Sequence, residues 1–317
     1  MPRVPGLRSP HAKVGRIVHF GRMLDKIRLH ARGALPGDYV ESLGETKSTS
    51  FDGRCCRFLG LPYVEVRARA LEGGCDEEIL SWAESHGTRH SDEECVTWSR
   101  FISKFGWRDD RSEVLHKRLA EYGIPEGMVE TMCELFDVDE GRKPGATRSW
   151  EAQPLSTVIV MGVAGCGKTT VATALAAELG WDFLEADSLH PRSNIEKLSS
   201  GEALTDADRA PWIEAIRAGI VSRVAAGRKV VAACSALKAA HRLVLAPDPG
   251  DTRFVHLRGD FALISARLAG RTGHFMKENL LRSQFRDLEE PADALTLDAA
   301  QPTEATIKRI LEVLGLP

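Results

Sequence analysis

The chain has 317 residues, about twice the usual length of one domain, with 43% apolar and 27% charged side chains, so two domains, each with its own core, are expected. Its 42 basic and 45 acidic side chains leave a net charge of -3, which gives wholesale nucleic-acid binding no electrostatic support. There is no run of 18 apolar residues, the N-terminus MPRVPGLRSPHAKVGR lacks a signal-peptide core, and the seven cysteines (55, 56, 75, 95, 133, 166 and 234) contain no C-x-x-C; a cytoplasmic protein with reduced thiols, no membrane partner, no disulfide framework and no zinc cage is the expectation.

The helical period comes first. Val14, Ile17, Val18, Leu24 and Ile27 fall at three-, four- and seven-residue steps, with Arg16, Arg22, Lys26 and Arg28 on the other positions, which predicts an amphipathic helix with a basic face in solvent. Ser91 and Glu94 have the capping-box spacing, in which each side chain satisfies the other residue's free N–H, and Gly106 offers a left-handed stop, so a helix over about 92–105 follows. Weaker helical stretches lie at 76–86, 111–122 and 126–136, with no alternating strand among them. Trp82, Trp98 and Trp107 sit at helical positions and read as core. Residues 1–140 are thus expected to form a smaller all-α domain. The stretch 137–156, DVDEGRKPGATRSWEAQPLS, has two prolines, two glycines and no apolar period, which is how a linker reads; the linker is placed at 141–154 and the second domain at 155–317.

Beyond it come short apolar or β-branched runs, LSTVIVM (155–161), WDFLEA (181–186), KVVAAC (229–234), RFVHL (253–257) and ALTLD (294–298), each separated from the next by room for a helix. Such alternation predicts an α/β fold whose parallel sheet is covered on both faces, with ligands at the carboxyl ends of the strands.

Gly162, Gly167, Lys168 and Thr169 complete G-x-x-x-x-G-K-S/T directly after the first run, and Val171, Leu175 and Leu179 start a helical stripe. Glycine is needed because the backbone must curl until successive N–H groups converge on phosphate oxygens, through conformations costly for a residue with a Cβ. The candidate nucleotide cradle is therefore Gly162, Val163, Ala164, Gly165, Cys166, Gly167, Lys168, Thr169 and Thr170. Lys168 would bridge the β and γ phosphates of ATP, and the Thr169 hydroxyl would ligate Mg²⁺. Cys166 reads as a small residue filling a Ser-sized space in preference to a thiolate favoured by Lys168 and the helix N-terminus.

An acceptor pocket should follow the second strand. Asp187, at its carboxyl end, is placed to accept or orient a hydroxyl proton, the alternative being a helix N-cap. His190, Asn194 and Lys197 supply donors on a short helix after Pro191, as a polyhydroxylated or anionic acceptor requires, although His190 alone also fits a structural role. Thr205 or Asp206 caps the next helix, and Arg209 reaches either an acceptor carboxylate or a surface ion pair. Ser235 and Lys238 follow the third strand in CSALK. Arg267 and Arg271 share a helical face near Gly270, Gly273 and His274, as a flap closing over a triphosphate would need.

The blocks MGVAGCGKTT, ADSLHPRSNIEKL, LTDADRAPW, ACSALK, RLAGRTGHFM and LLRSQFRDLEEP, in that order, resemble the gluconate kinase family of P-loop small-molecule kinases over about 157–314. The resemblance implies a five-stranded parallel sheet with a helical lid, ATP and Mg²⁺ as cofactors, and phosphorylation of D-gluconate at its 6-hydroxyl. It matches Lys168 and Thr169 to phosphate and magnesium residues, Asp187, His190, Arg209 and Lys238 to the acceptor site, and Arg267 and Arg271 to the lid. Cys166, Ala186 and Leu198 depart from the family's commoner serine, glycine and methionine without removing a needed group. D-gluconate is then the small-molecule partner, and a homodimer is compatible. The rival readings are a kinase of another small hydroxy acid such as shikimate, and a nucleotide-binding switch acting on the first domain. Residues of about 8–140 resemble a family of small bacterial domains with no assigned activity, through RSPHAKVGRIVHFGRMLDKIRLHARGALPGDY, FLGLPYVEV and ALEGGCDEEILSWAESHG. There His19, His30, Asp25 and the basic helix read as packed histidines and a solvated face in preference to a phosphosugar or nucleotide site.

Overall fold

Gly15 takes a left-handed φ of 54°, and the chain on either side of it closes as a hairpin, β1 (Lys13–Val14) pairing antiparallel with β2 (Ile17–Val18). Val14, Ile17 and Val18 are buried there, where stiff β-branched side chains suit a pleated surface. Helix α1 consequently begins only at Phe20 and runs to Ala31. This corrects the single helix expected from Val14 onward and adds one short strand pair to the helical unit. The computed structural model describes residues 4–44, 49–142, 155–246, 250–270 and 278–317, and the chain divides into two units close to residue 154.

In the first unit α1 is followed by α2 (Gly37–Val40), α3 (Phe51–Leu59), α4 (Tyr63–Leu71), α5 (Asp76–His86), α6 (Asp92–Ser103), α7 (Ser112–Tyr122) and α8 (Met132–Asp139). The Ser91–Glu94 capping box starts α6. Helix α8 starts at Met132 rather than near 126, because Gly127 stands at φ 82° and the capping box is made by Thr131 and Glu134. Helices α3 and α4 escape the sequence reading; α3 is nucleated by the Ser50 hydroxyl, which accepts the Gly53 N–H at 3.0 Å. Phe20, Met23, Leu24 and Ile27 of α1 pack with Cys55, Cys56 and Leu59 of α3 and with Val66, Ala70 and Ile79.

The basic face of α1 is not in solvent, contrary to expectation. Arg22, Lys26 and Arg28 are only 3%, 3% and 6% exposed. Each meets a carboxylate: Arg22 donates to Glu140 at 3.0 Å, Lys26 lies 2.7 Å from Asp52, and Arg28 lies 2.6 Å from Asp76. Arg8 holds Asp25 and Asp76 together from the other side. Those partners come from distant helices, so the period of α1 alone could not reveal them. Trp98 is buried and Trp82 packs against the same core, but Trp107 is 42% exposed and is not core. His30 is exposed.

The second unit carries five parallel strands, β3 (Thr157–Met161), β4 (Asp182–Glu185), β5 (Val230–Ala233), β6 (Thr252–Arg258) and β7 (Leu295–Asp298), in the order β4-β5-β3-β6-β7. Each falls on one of the five apolar runs. Its helices are α9 (Lys168–Leu179), α10 (Arg192–Ser200), α11 (Asp206–Ala225), α12 (Ala239–Leu245), α13 (Phe261–Ala269), α14 (Glu278–Asp287) and α15 (Thr303–Leu314). Side chains alternate across the sheet. On one face Ile159, Met161, Leu184 and Ala232 meet Trp212, Ile213 and Ile216 of α11, while α9 packs on β3, β4 and β5 with α15 against it. The chain passes to one side of the central β3 for β4 and β5 and to the other for β6 and β7, so a crevice opens at the carboxyl end of β3. Among the described residues no helix is long and apolar enough to cross a membrane.

Candidate active site

The turn that leaves β3 is one only glycine tolerates. Gly162 has φ 139°, and a Cβ there would stand 2.7 Å from the Leu257 carbonyl oxygen; at Gly165, with φ 84°, it would stand 2.8 Å from the Leu268 side chain. Helix α9 then begins at Lys168, so its unpaired N–H groups and partial positive charge open onto the loop. Lys168 Nζ donates to the Val163 carbonyl at 2.9 Å. The Thr169 hydroxyl donates to Glu185 Oε2 at 2.8 Å, and the Ala164 N–H donates to Gln284 Oε1 at 2.6 Å. Cys166 is 2% exposed, with Sγ packed beneath Gly162.

Opposite the loop, β4 ends at Glu185 and a 3₁₀ turn, Ala186–Leu189, follows. Asp187 lies inside that turn rather than at its N-cap, which is Glu185, and its side chain is exposed to the cleft. The ring of His190 stacks on Trp212 with centroids 4.2 Å apart, and the Trp212 Nε1–H donates to the Ala186 carbonyl at 2.7 Å. Burial pushes the His190 pKa down, against the pull of Asp187. The buried Asn194 amide donates to the Asp208 carbonyl at 2.8 Å and reaches His190 Nδ1 at 3.3 Å. Its nitrogen is therefore the donor, His190 Nδ1 accepts, and the proton of the neutral ring sits on Nε2.

Lys168, Thr169, Asp187, His190, Arg209 and Ser235 line one cleft of about 390 Å³. Arg209 is aimed by Asp287 at 2.9 Å and Asp206 at 3.4 Å. Ser235 is presented by a left-handed turn at Ala236, φ 42°, whose carbonyl accepts from Arg242 at 3.0 Å. Two expected acceptor lysines are otherwise engaged. Lys238 Nζ lies 2.7 Å from both carboxylate oxygens of Asp206, and Lys197 Nζ lies 2.9 Å from both of Asp208. That lysine, with the Thr205 cap, holds the Asp208 pKa down to about 2. Thr205 is the cap of α11.

Residues 158–295 match a family described as an AAA domain, and residues 4–142 match one described as Domain of unknown function (DUF5069). The gluconokinase of Gluconobacter oxydans (strain 621H) is 49% identical over 136 residues, which are 43% of this chain and 76% of that protein. The thermoresistant gluconokinase of Escherichia coli (strain K12) is 41% identical over 160 residues, 49% of this chain and 91% of that one. The chain belongs to the gluconokinase family. A crystal structure of a gluconokinase from Sinorhizobium meliloti 1021 has 41% sequence identity, covering 51% of this chain and 92% of that one, with a TM-score of 0.47.

In this gluconokinase unit the phosphate loop and Asp187, His190, Arg209 and Ser235 come together, whereas Asn194, Lys197 and Lys238 stand behind the lining as supports. Arg267 borders a second cavity of about 260 Å³, lined also by Cys166, which shares Gly165, Gly167 and Thr170 with the cleft. Arg271 and His274, like Gly273, lie outside the described residues. Three residues of the site were missed. Glu185 was legible as an acid two positions before Asp187, on the same strand end. Trp212 and Gln284 have no local signal, because their contacts join segments far apart in the chain.

Proposed function

We propose that this cleft transfers the γ-phosphoryl group of ATP to the 6-hydroxyl of D-gluconate, giving 6-phospho-D-gluconate and ADP. The observation that carries the reading is the meeting of Lys168 and Thr169 with Asp187, His190 and Arg209 in one lined cleft, in a chain of the gluconokinase family. Asp187 accepts the proton of the attacking hydroxyl, whose oxygen bonds to the γ-phosphorus as the bond to the leaving oxygen of ADP breaks. Neutral His190 donates from Nε2 to a sugar hydroxyl, and Arg209 pairs with the acceptor carboxylate. Lys168 and the amides at the start of α9 hold the phosphates. The paired oxygens of Thr169 and Glu185 fit Mg²⁺, a hard cation that prefers oxygen ligands. Thr169 would hold it, and the ion supplies charge neutralisation on the phosphates when bound. Arg267 and Arg271 are assigned to a lid that adds positive charge and excludes water.

A coupled assay of ADP release with the purified chain tests this. Turnover should depend on D-gluconate, with kcat/KM at least ~100-fold above that for shikimate, a margin within reach of a pocket that pairs its acceptor's polar groups. ADP release at one rate with or without any sugar acid would replace the kinase by a nucleotide switch, and a preference for shikimate would replace the acceptor.

A further inference from the structure

The first unit carries a half-open cavity of about 320 Å³ for which the phosphoryl transfer has no use. One wall is the α1 stripe His19, Arg22 and Lys26; the facing wall is the α7 stripe Arg111, Val114, Arg118 and Tyr122, again at three-, four- and seven-residue steps along one helix face. Phe51, Phe105 and Phe136 close it, with Phe51 meeting the other two edge-on at centroid distances of 5.4 Å.

The charges of the α1 wall cancel internally. Asp52 answers Lys26, and Glu140, which also accepts from the Tyr39 hydroxyl at 2.9 Å, answers Arg22. On the α7 wall Arg111 and Arg118 are half-buried and make no ion pair among the described residues, and Arg111 Nε is buried without a partner. The acids that border the same space are Asp38 and Glu41, exposed at the rim and screened by water, and the half-buried Asp139. Inside the rim the uncancelled charge is positive.

His19 adds strain. It holds a left-handed φ of 69°, which costs a residue with a Cβ, while its Nε2–H donates to Asp52 at 2.9 Å and its buried Nδ1 has no partner. Burial pushes its pKa down to about 4, so the ring is neutral. Buried ion pairs are on balance no more stabilising than apolar residues of the same volume. Stability therefore does not account for two such pairs and a strained histidine gathered at one cavity, whereas a binding site does, since ligand pockets combine apolar walls with a few convergent polar groups.

We propose that this cavity binds a small organic anion bearing an aromatic ring, the acidic group held by Arg111 and Arg118 and the ring laid against Phe51, Phe105 and Phe136. Two guanidinium forks suit a carboxylate or a phosphate equally, and the experiment separates them. The site does not depend on the kinase reading.

Calorimetric titrations on the full-length Lys168→Ala chain, which weakens phosphate binding at the kinase cleft, use phenyl phosphate and benzoate as ring-bearing anions, with inorganic phosphate and acetate as ringless ones. At least one ring-bearing anion should bind with a sub-millimolar Kd, and better than either ringless one. Arg111→Ala with Arg118→Ala should weaken it at least ~10-fold. Val114→Trp, which plugs the cavity and leaves the charges, should abolish it. The same substitutions made with Lys168 intact should leave gluconate turnover unchanged, and far-UV circular dichroism confirms that the helices persist. No binding by any ring-bearing anion, equal binding by inorganic phosphate, or binding that survives both the charge removal and the plug overturns the proposal.

Discussion

In the gluconokinase unit the central strand β3 is apolar, with Val158, Ile159, Val160 and Met161 fully buried, and the titratable groups of the cleft, Lys168, Glu185 and Asp187, stand at or beyond strand ends; β6 alone of the strands buries titratable side chains, Arg253 and His256, among the described residues. In the first unit Arg8, Arg22, Lys26, Asp52 and Glu140 lie as deep as Phe20 and Leu24. A sheet covered on both faces leaves its backbone paired and its side chains dry, so charge is driven to the open ends, where water or a substrate can meet it. A helical unit can pass long cationic side chains through its centre, provided that a carboxylate from another helix waits for each. Removing a charge should therefore cost stability in the first unit and activity in the second.

The largest effect is expected from Arg22→Ala. It leaves buried Glu140 with one cation, Arg142, and the Tyr39 hydroxyl among the described residues, and breaking a buried pair costs about 3–5 kcal/mol. Hydrogen exchange on the intact chain should show protection lost in Phe20–Ala31 and retained in Thr157–Met161. Undiminished protection in α1 would erase the contrast. Next comes Lys168→Ala, which removes the cation that the proposed function assigns to the phosphates; kcat should fall roughly 10²- to 10³-fold while exchange in both units stays as in the wild type. A parallel loss of protection in β3 would make Lys168 a structural residue.

The smallest effect is that of pH on the first unit. Burial pushes both His11 and His19 down to about 4, so the folded state refuses protons that the unfolded chain takes up below its ordinary histidine pKa; stability is lost as pH falls from about 6.5 toward 4. Asp137 works the other way, because burial pushes it up to about 6 and its protonation favours the folded form over the same range. Two histidines against one aspartate leave a net loss of roughly 1–2 kcal/mol between pH 7 and 5.5. Faster exchange of α1 amides at the lower pH, after correction for the intrinsic rate, would bear this out. A rise in protection would mean that Asp137 dominates.

Much of the second unit was legible. Five apolar runs became five strands, and G-x-x-x-x-G-K-T marked the turn that Gly162 and Gly165 make because a Cβ would strike Leu257 and Leu268. The acceptor side was legible only as residue types. Asp187, His190 and Arg209 face the cleft, but Lys197 and Lys238 are taken by Asp208 and Asp206, of which only Asp206 had been read, as one of two candidate caps. In the first unit α5, α6 and α7 were visible in their periods, and the hairpin at Gly15 was not.

Local sequence by itself determined what depends on neighbouring residues: the periods of strands and helices, the capping box at Ser91, and the phosphate loop, because backbone conformation and short-range hydrogen bonds act within a few residues. Only the tertiary structure decided which face of α1 is buried, which lysine is already neutralised, and that Trp212 and Gln284 belong to the site. Each of these depends on a partner brought close by folding from a distant part of the chain, and the energy of a charge is set by that partner and by the water it excludes.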